Sequence, residues 1–89
     1  MADLEQYKSL LSEIIQKQIV ILGPGIAVLK AKNVSGLEIT DDGKVTDIKG
    51  DPEQVLKQLI DIYVSLAGQI VKSALSSIFD KYSSIKKIV

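Results

Sequence analysis

The sequence contains no cysteine, no histidine, no tryptophan and no arginine. Without cysteine and histidine, disulfides, thiolate chemistry and nearly all zinc sites are excluded. The absence of histidine also removes the usual base that activates a serine nucleophile. Without arginine the chain lacks the guanidinium fork that is preferred for phosphate and guanine recognition, and its eleven basic residues are balanced by eleven acidic ones. We therefore expect no enzyme, no cofactor and no nucleic-acid partner.

Long apolar runs are missing as well. The longest stretch without a charge is the twelve residues 18–29, between Lys17 and Lys30. A helix needs about 20 apolar residues to cross a bilayer, so the sequence predicts no membrane span. The polar, acidic N-terminus does not resemble a signal peptide. We predict a cytoplasmic protein with a single small domain, residues 1–89.

Aliphatic residues dominate what remains, because the chain is 46% hydrophobic but only 4% aromatic. Apolar residues at three- and four-residue spacing predict an amphipathic helix over 3–22, with Asp3 as its N-cap. Residues 26–33 predict a short second helix. Residues 37–48 predict a β-hairpin that turns at Asp42-Gly43. The expected fold class is therefore α+β and mostly α.

The register of the hairpin stays open at this point. A two-residue loop places Ile39 opposite Thr46, whereas a three-residue loop places it opposite Val45. Both loops are common hairpin connections.

The clearest helix start is Asp51-Pro52, which combines an N-cap residue with proline at the first helical position. From there the pattern predicts one long helix to about Ser83. About 32 helical residues span about 48 Å at 1.5 Å per residue, whereas a domain of this size is only about 30 Å across. The helix must therefore bend near Gly68 or Ser76-Ser77, or a second subunit must cover it.

The polar residues of this helix form one narrow line, which leaves most of its circumference apolar. A surface helix of a monomer needs an apolar stripe of only about 100°, and the rest of the chain offers little cover. We therefore predict a helical homo-oligomer, most simply a twofold dimer. The predicted interface consists of Leu56, Ile60, Tyr63, Ala67, Ile70 and Ala74.

Gly23-Pro24-Gly25 lies in the middle of the charge-free run and has three interpretations. After an apolar strand it would resemble a dinucleotide-binding loop, with Asp41 or Asp42 as the ribose-binding acid. Against this, Val28 occupies the third glycine position, and Pro24 removes an amide that should hold phosphate. A membrane-surface segment is the second interpretation. We favour the third, a buried corner between two helices.

The carboxylates of Asp41, Asp42, Asp47 and Asp51 do not have the spacing of a calcium-binding loop, and turn and cap roles explain two of them. The sequence thus predicts a small self-associating structural or adaptor module. The first alternative is a small-molecule or nucleotide-binding protein that uses the region of Gly23-Pro24-Gly25. A weaker alternative is a peripheral membrane-surface binder.

Overall fold

The computed structural model describes residues 3–82 and residue 85. This part of the chain contains four helices and one antiparallel hairpin, which confirms an α+β, mostly helical fold. The elements in chain order are α1 (Leu4–Leu22), α2 (Pro24–Lys32), β1 (Leu37–Ile39), β2 (Val45–Ile48), α3 (Pro52–Ala67) and α4 (Gln69–Phe79). Oligomeric packing stays a prediction.

Two predicted helix starts are confirmed by side-chain caps. The carboxylate of Asp3 accepts a hydrogen bond from the backbone N–H of Gln6 at 2.9 Å. The carboxylate of Asp51 accepts one from the N–H of Glu53 at 3.0 Å, and α3 begins with proline directly after it. Each cap satisfies a donor that the first helical turn leaves without an intrahelical partner.

α1 ends at Gly23, whose φ of 93° closes the helix while its N–H still donates to the carbonyl of Ile19 at 3.0 Å. α2 then begins at once with Pro24. The predicted start at residue 26 was two residues late. Pro24 suits this position, because at the first helical residue the missing N–H costs nothing and the fixed φ of proline matches the helix.

The expectation that the charge-free run is a buried corner was wrong for much of its length. Ala27 and Val28 are buried, but Val20, Ile26 and Leu29 are 81%, 50% and 57% exposed. A run that is apolar all round carries no periodic signal, so its composition does not show which side chains face the core. The corner therefore presents apolar surface to solvent.

The hairpin satisfies both predicted registers, one on each side of a bulge. Near the turn Ile39 pairs with Val45, as a three-residue loop requires, while Leu37 pairs with Ile48, which continues the two-residue register. Thr46 is the extra residue between them, and its hydroxyl donates to a carbonyl of β1 at 3.1 Å. A bulge of this kind places two residues of one strand opposite one of the other.

The predicted long C-terminal helix is not continuous. It breaks at Gly68, where φ is 59° and ψ is −120°, so the expected bend near Gly68 is confirmed and the continuous helix is not. The Ser76-Ser77 pair lies inside α4 and causes no break. α4 ends at Phe79, and residues 80–82 are not helical, so the predicted end at about Ser83, itself outside the described residues, was too late.

The break turns α4 back onto α1. Val71, Leu75 and Phe79 of α4 are 0%, 0% and 3% exposed and belong to the same core cluster as the buried residues of the other elements. A buried hydrogen bond joins α3 to α2, because the Tyr63 hydroxyl donates to the backbone carbonyl of Ala27 at 2.7 Å.

Candidate self-association surface

The six residues of the predicted interface do not lie on one surface of the folded chain. Leu56, Ile60 and Tyr63 of α3 are 0%, 2% and 0% exposed and pack in the chain's own core. Ile70 of α4 is 63% exposed. The other two are half-buried alanines, Ala67 and Ala74. In this fold a partner would reach only the three residues that flank or follow the break in the helix.

α1 and α4 run antiparallel along one side of the molecule. At one end Glu13 of α1 accepts a hydrogen bond from the hydroxyl of Tyr82 at 2.9 Å and forms an ion pair with Lys81 at 3.3 Å. Seven residues further along α1, Val20 shares a groove with Ala74 of α4. Seven residues of helix correspond to about 10 Å, so the two helices keep this antiparallel alignment over two turns.

The groove between α1 and α4 has a volume of about 530 Å³. Its apolar lining comes from Val20, Ala74 and Ile78, and its charged lining from Glu13, Lys17 and Lys81. The complete lining is Ser12, Glu13, Gln16, Lys17, Val20, Ala74, Ser77, Ile78 and Lys81.

The alignment brings both glycine junctions to the same end of the molecule. Because the helices are antiparallel, the C-terminal end of α1 lies beside the N-terminal end of α4. Gly23 comes three residues after Val20 in the chain, and Gly68 and Ile70 come one to two turns before Ala74. Each junction is flanked by exposed apolar side chains, at exposures of 81%, 50%, 44% and 63%. We name these residues the junction surface: Val20, Ile26, Leu66 and Ile70.

The sequence pattern predicts Ile70 at the interface but not Val20, Ile26 or Leu66. Val20 and Ile26 lie in the charge-free run, where the sequence predicts a buried corner. A usable signal was present, because Leu66 and Ile70 lie two residues either side of Gly68, the predicted bend. Side chains beside a helix break lose the cover of the missing turn, and this exposes them.

At the Glu13 end of the groove lies Tyr82, a tyrosine whose pKa is raised. Partial burial, together with the hydrogen bond to Glu13, raises the pKa of Tyr82 to about 12. Burial alone raises the pKa of Tyr63 far above its ordinary value. Both phenols favour the neutral form in the folded chain, so ionising them opposes folding.

This shift predicts alkaline destabilisation. The unfolded chain releases the Tyr82 proton near pH 10 and the folded chain near pH 12. The contribution of neutral Tyr82 to folding stability is therefore complete below pH 10 and is lost as the pH rises through 12. In a Tyr82→Phe variant we expect stability to fall less steeply between pH 10 and pH 12. Urea denaturation at several pH values gives the free energy of unfolding, and its dependence on pH should be weaker in the variant. An unchanged pH dependence would show that Tyr82 has no shifted pKa. Some pH dependence should remain, because the pKa of Tyr63 is raised as well.

The region of Gly23-Pro24-Gly25 lacks the geometry of a dinucleotide site. The residues before it are helical, so no strand leads into the glycines. A shallow cleft of about 340 Å³ lies beside it, where Lys32 and Asp41 form an ion pair with each other. That pairing lowers the pKa of Asp41. Asp41, one of the two acids considered for a ribose, is therefore paired with a lysine of α2.

The other three aspartates that were considered as metal ligands have structural roles. Asp47 accepts a hydrogen bond from the N–H of Ile48 at 2.9 Å, and Asp51 caps α3. The backbone carbonyl of Asp42 accepts one from the side chain of Gln16 at 2.7 Å. Within residues 3–82 and residue 85, no three acidic side chains come together in a group that could hold a metal ion.

None of the helices that the structure describes combines the length and the apolar content that a bilayer crossing requires. Comparisons of the chain with protein-family models, with curated proteins and with solved structures gave no match. No residue role can therefore be transferred from a relative.

Proposed function

We propose that this protein is a non-catalytic structural or adaptor module that acts by self-association through the junction surface, most simply as a twofold dimer. The observation that carries the proposal is the exposure of Val20 and Ile70, at 81% and 63%, on neighbouring helices at one end of the fold. Grouped exposed aliphatic side chains are typical of protein interaction sites.

The expected gain from burial and the cost of association are similar, so a dimer should form only at sufficient concentration. Full burial of a Val, Leu or Ile side chain contributes about 1.5–3 kcal/mol, and a twofold contact buries the junction surface of both copies. This gain is of the same order as the cost of association, about 4–15 kcal/mol. The formal net charge of zero means that two copies do not repel each other at long range.

The alternatives place the function elsewhere on the chain or assign the same apolar residues to another partner. A small-molecule site at Gly23-Pro24-Gly25 gains no support from the helical geometry there, and a membrane-surface role gains none from the balanced charge. A second copy of the chain needs neither a phosphate loop nor a basic face, and therefore fits the junction surface better.

Ile70→Asp is expected to abolish the dimer and leave the fold intact. The new carboxylate is solvated in the monomer but would be buried without a partner in the contact. Gln69→Asp is the matched control, because it places the same charge in the same first turn of α4, at an exposed polar position. Light scattering after size exclusion over a concentration series measures the mass. A wild-type chain that stays at the 9.7 kDa of a monomer throughout the series contradicts the proposal.

A further inference from the structure

The junction between α3 and α4 consists of one residue, Gly68. Its φ of 59° and ψ of −120° form a backbone conformation that L side chains rarely adopt. A Cβ added there would meet nothing nearer than the carbonyl oxygen of Val64 at 4.0 Å. Glycine is therefore required by the backbone angles, not by lack of space.

Two hydrogen bonds of the helical type remain at Gly68 although the helix breaks there. The N–H of Gly68 donates to the carbonyl of Val64 at 2.7 Å, and its own carbonyl accepts from Lys72 at 3.2 Å. Both are bonds between residues four apart, as in an α-helix. If Gly68 took helical angles, the last carbonyls of α3 could pair with the first N–H groups of α4, which have no partners within their own helices.

A straightened helix could not stay within one copy. From Pro52 to Phe79 it would span about 42 Å at 1.5 Å per residue, whereas the longest extent of the folded chain is 32 Å. α4 would leave its own core and carry Val71, Leu75 and Phe79 into solvent. A second copy that opened in the same way would offer α4 an identical site.

We propose that two copies of this chain exchange α4 about Gly68, each donating α4 to the core of the other. This rests on the proposed self-association and specifies its form. Exchange of an identical element is a low-cost route to a dimer, and short hinges favour it. The native contacts of α4 are kept, and the backbone bonds across the junction are gained.

The straightened helix also brings the predicted interface residues into register. Tyr63, Ala67, Ile70 and Ala74 follow each other at three- and four-residue spacing, so they share one face only when the break is removed. Leu66 and Ile70 become neighbours one turn apart beside the hinge. The small residues Ala67 and Gly68 let two such helices cross closely where the copies meet.

Gly68→Ala tests the hinge. Alanine disfavours the positive φ of the closed form and favours the helix, so we expect the association constant of the dimer to rise at least tenfold. Gly25→Ala is the matched control, because Gly25 is already helical, its added Cβ would meet nothing within 4 Å, and the association constant should not change. Inserting two glycines after Gly68 should favour the monomer, because a longer hinge lets α4 fold back without strain.

The single phenylalanine of the chain, Phe79, reports which copy receives α4. Its ring is 3% exposed within the core cluster. Phenylalanine-labelled and unlabelled chains are unfolded together, refolded at high concentration and studied by isotope-filtered NMR. Exchange gives contacts from the labelled ring to core methyl groups of unlabelled chains. A dimer formed only by surface contact gives none.

The outcomes separate this inference from the proposed function. A wild-type dimer whose Phe79 contacts stay within one chain overturns the exchange and leaves self-association standing. A wild-type chain that is monomeric throughout overturns both the proposed function and the exchange, even where a Gly68→Ala chain exchanges α4. If Gly68→Ala does not fold, the mixed-label wild-type sample decides. No contact between chains in that sample overturns the exchange.

Discussion

Ile60→Asp is expected to unfold the chain under conditions in which the wild type is folded. Ile60 is 2% exposed and belongs to the core cluster with Leu56 and Tyr63. An unpaired carboxylate in such a site costs several kcal/mol. A small domain has a total stability of only about 5–15 kcal/mol, and one near this size lies toward the lower end.

Circular dichroism during urea denaturation measures this loss, and Ile70→Asp is the control. Both substitutions replace the same residue type by the same charge, but Ile70 is 63% exposed and its variant should unfold near the wild-type midpoint. A folded Ile60→Asp chain that had lost only its dimer would contradict the core position and place Ile60 at an interface.

The contrast between Ile60 and Ile70 shows how far the helical pattern of the C-terminal region could predict the fold. The polar line that runs from Gln54 to Asp80 is exposed almost throughout, as expected. The pattern predicts a second subunit over the apolar faces, because the remaining elements offer too little cover for a continuous helix. In the structure α4 folds back at Gly68 and lies against α1.

The local signals were reliable where one residue type has one physical role. Asp3 and Asp51 cap helices because their short carboxylates reach backbone donors, and Asp42-Gly43 turns the hairpin. The junctions were less predictable. Whether Pro24 starts a helix or Gly68 stops one depends on the packing of α2 and α4 on the core, which spacing along the chain does not contain.

Gln18 is the clearest case of a residue that the apolar pattern concealed. It is 0% exposed in α1, and neither its amide nitrogen nor its amide oxygen has a hydrogen-bond partner in the described part of the chain. It lies one turn beyond Ile14 and one turn before Leu22, in the gap of the apolar stripe. The spacing already indicated an inward-facing position, although the residue type was interpreted as part of the charge-free run.

Gln18→Met is therefore expected to stabilise the fold. A buried polar group without a partner costs about 1–3 kcal/mol, and methionine has a similar unbranched shape without the amide. In a domain of this size each kcal/mol raises the melting temperature by about 4–8 °C. We expect a higher melting temperature and a higher urea midpoint with an unchanged denaturant slope, because only the native state changes.

Gln58→Met is the matched control for this gain. Gln58 lies on the exposed polar line of α3, so the same substitution removes an amide that water already solvates, and the urea midpoint should move little. If Gln18→Met lowers the midpoint while Gln58→Met does not, the Gln18 amide makes a stabilising contact in solution. That contact would have to be with a group outside the described fold of one chain. If Gln18→Met raises the midpoint as expected, the burial of the Gln18 amide in the core lowers the stability of the wild-type fold.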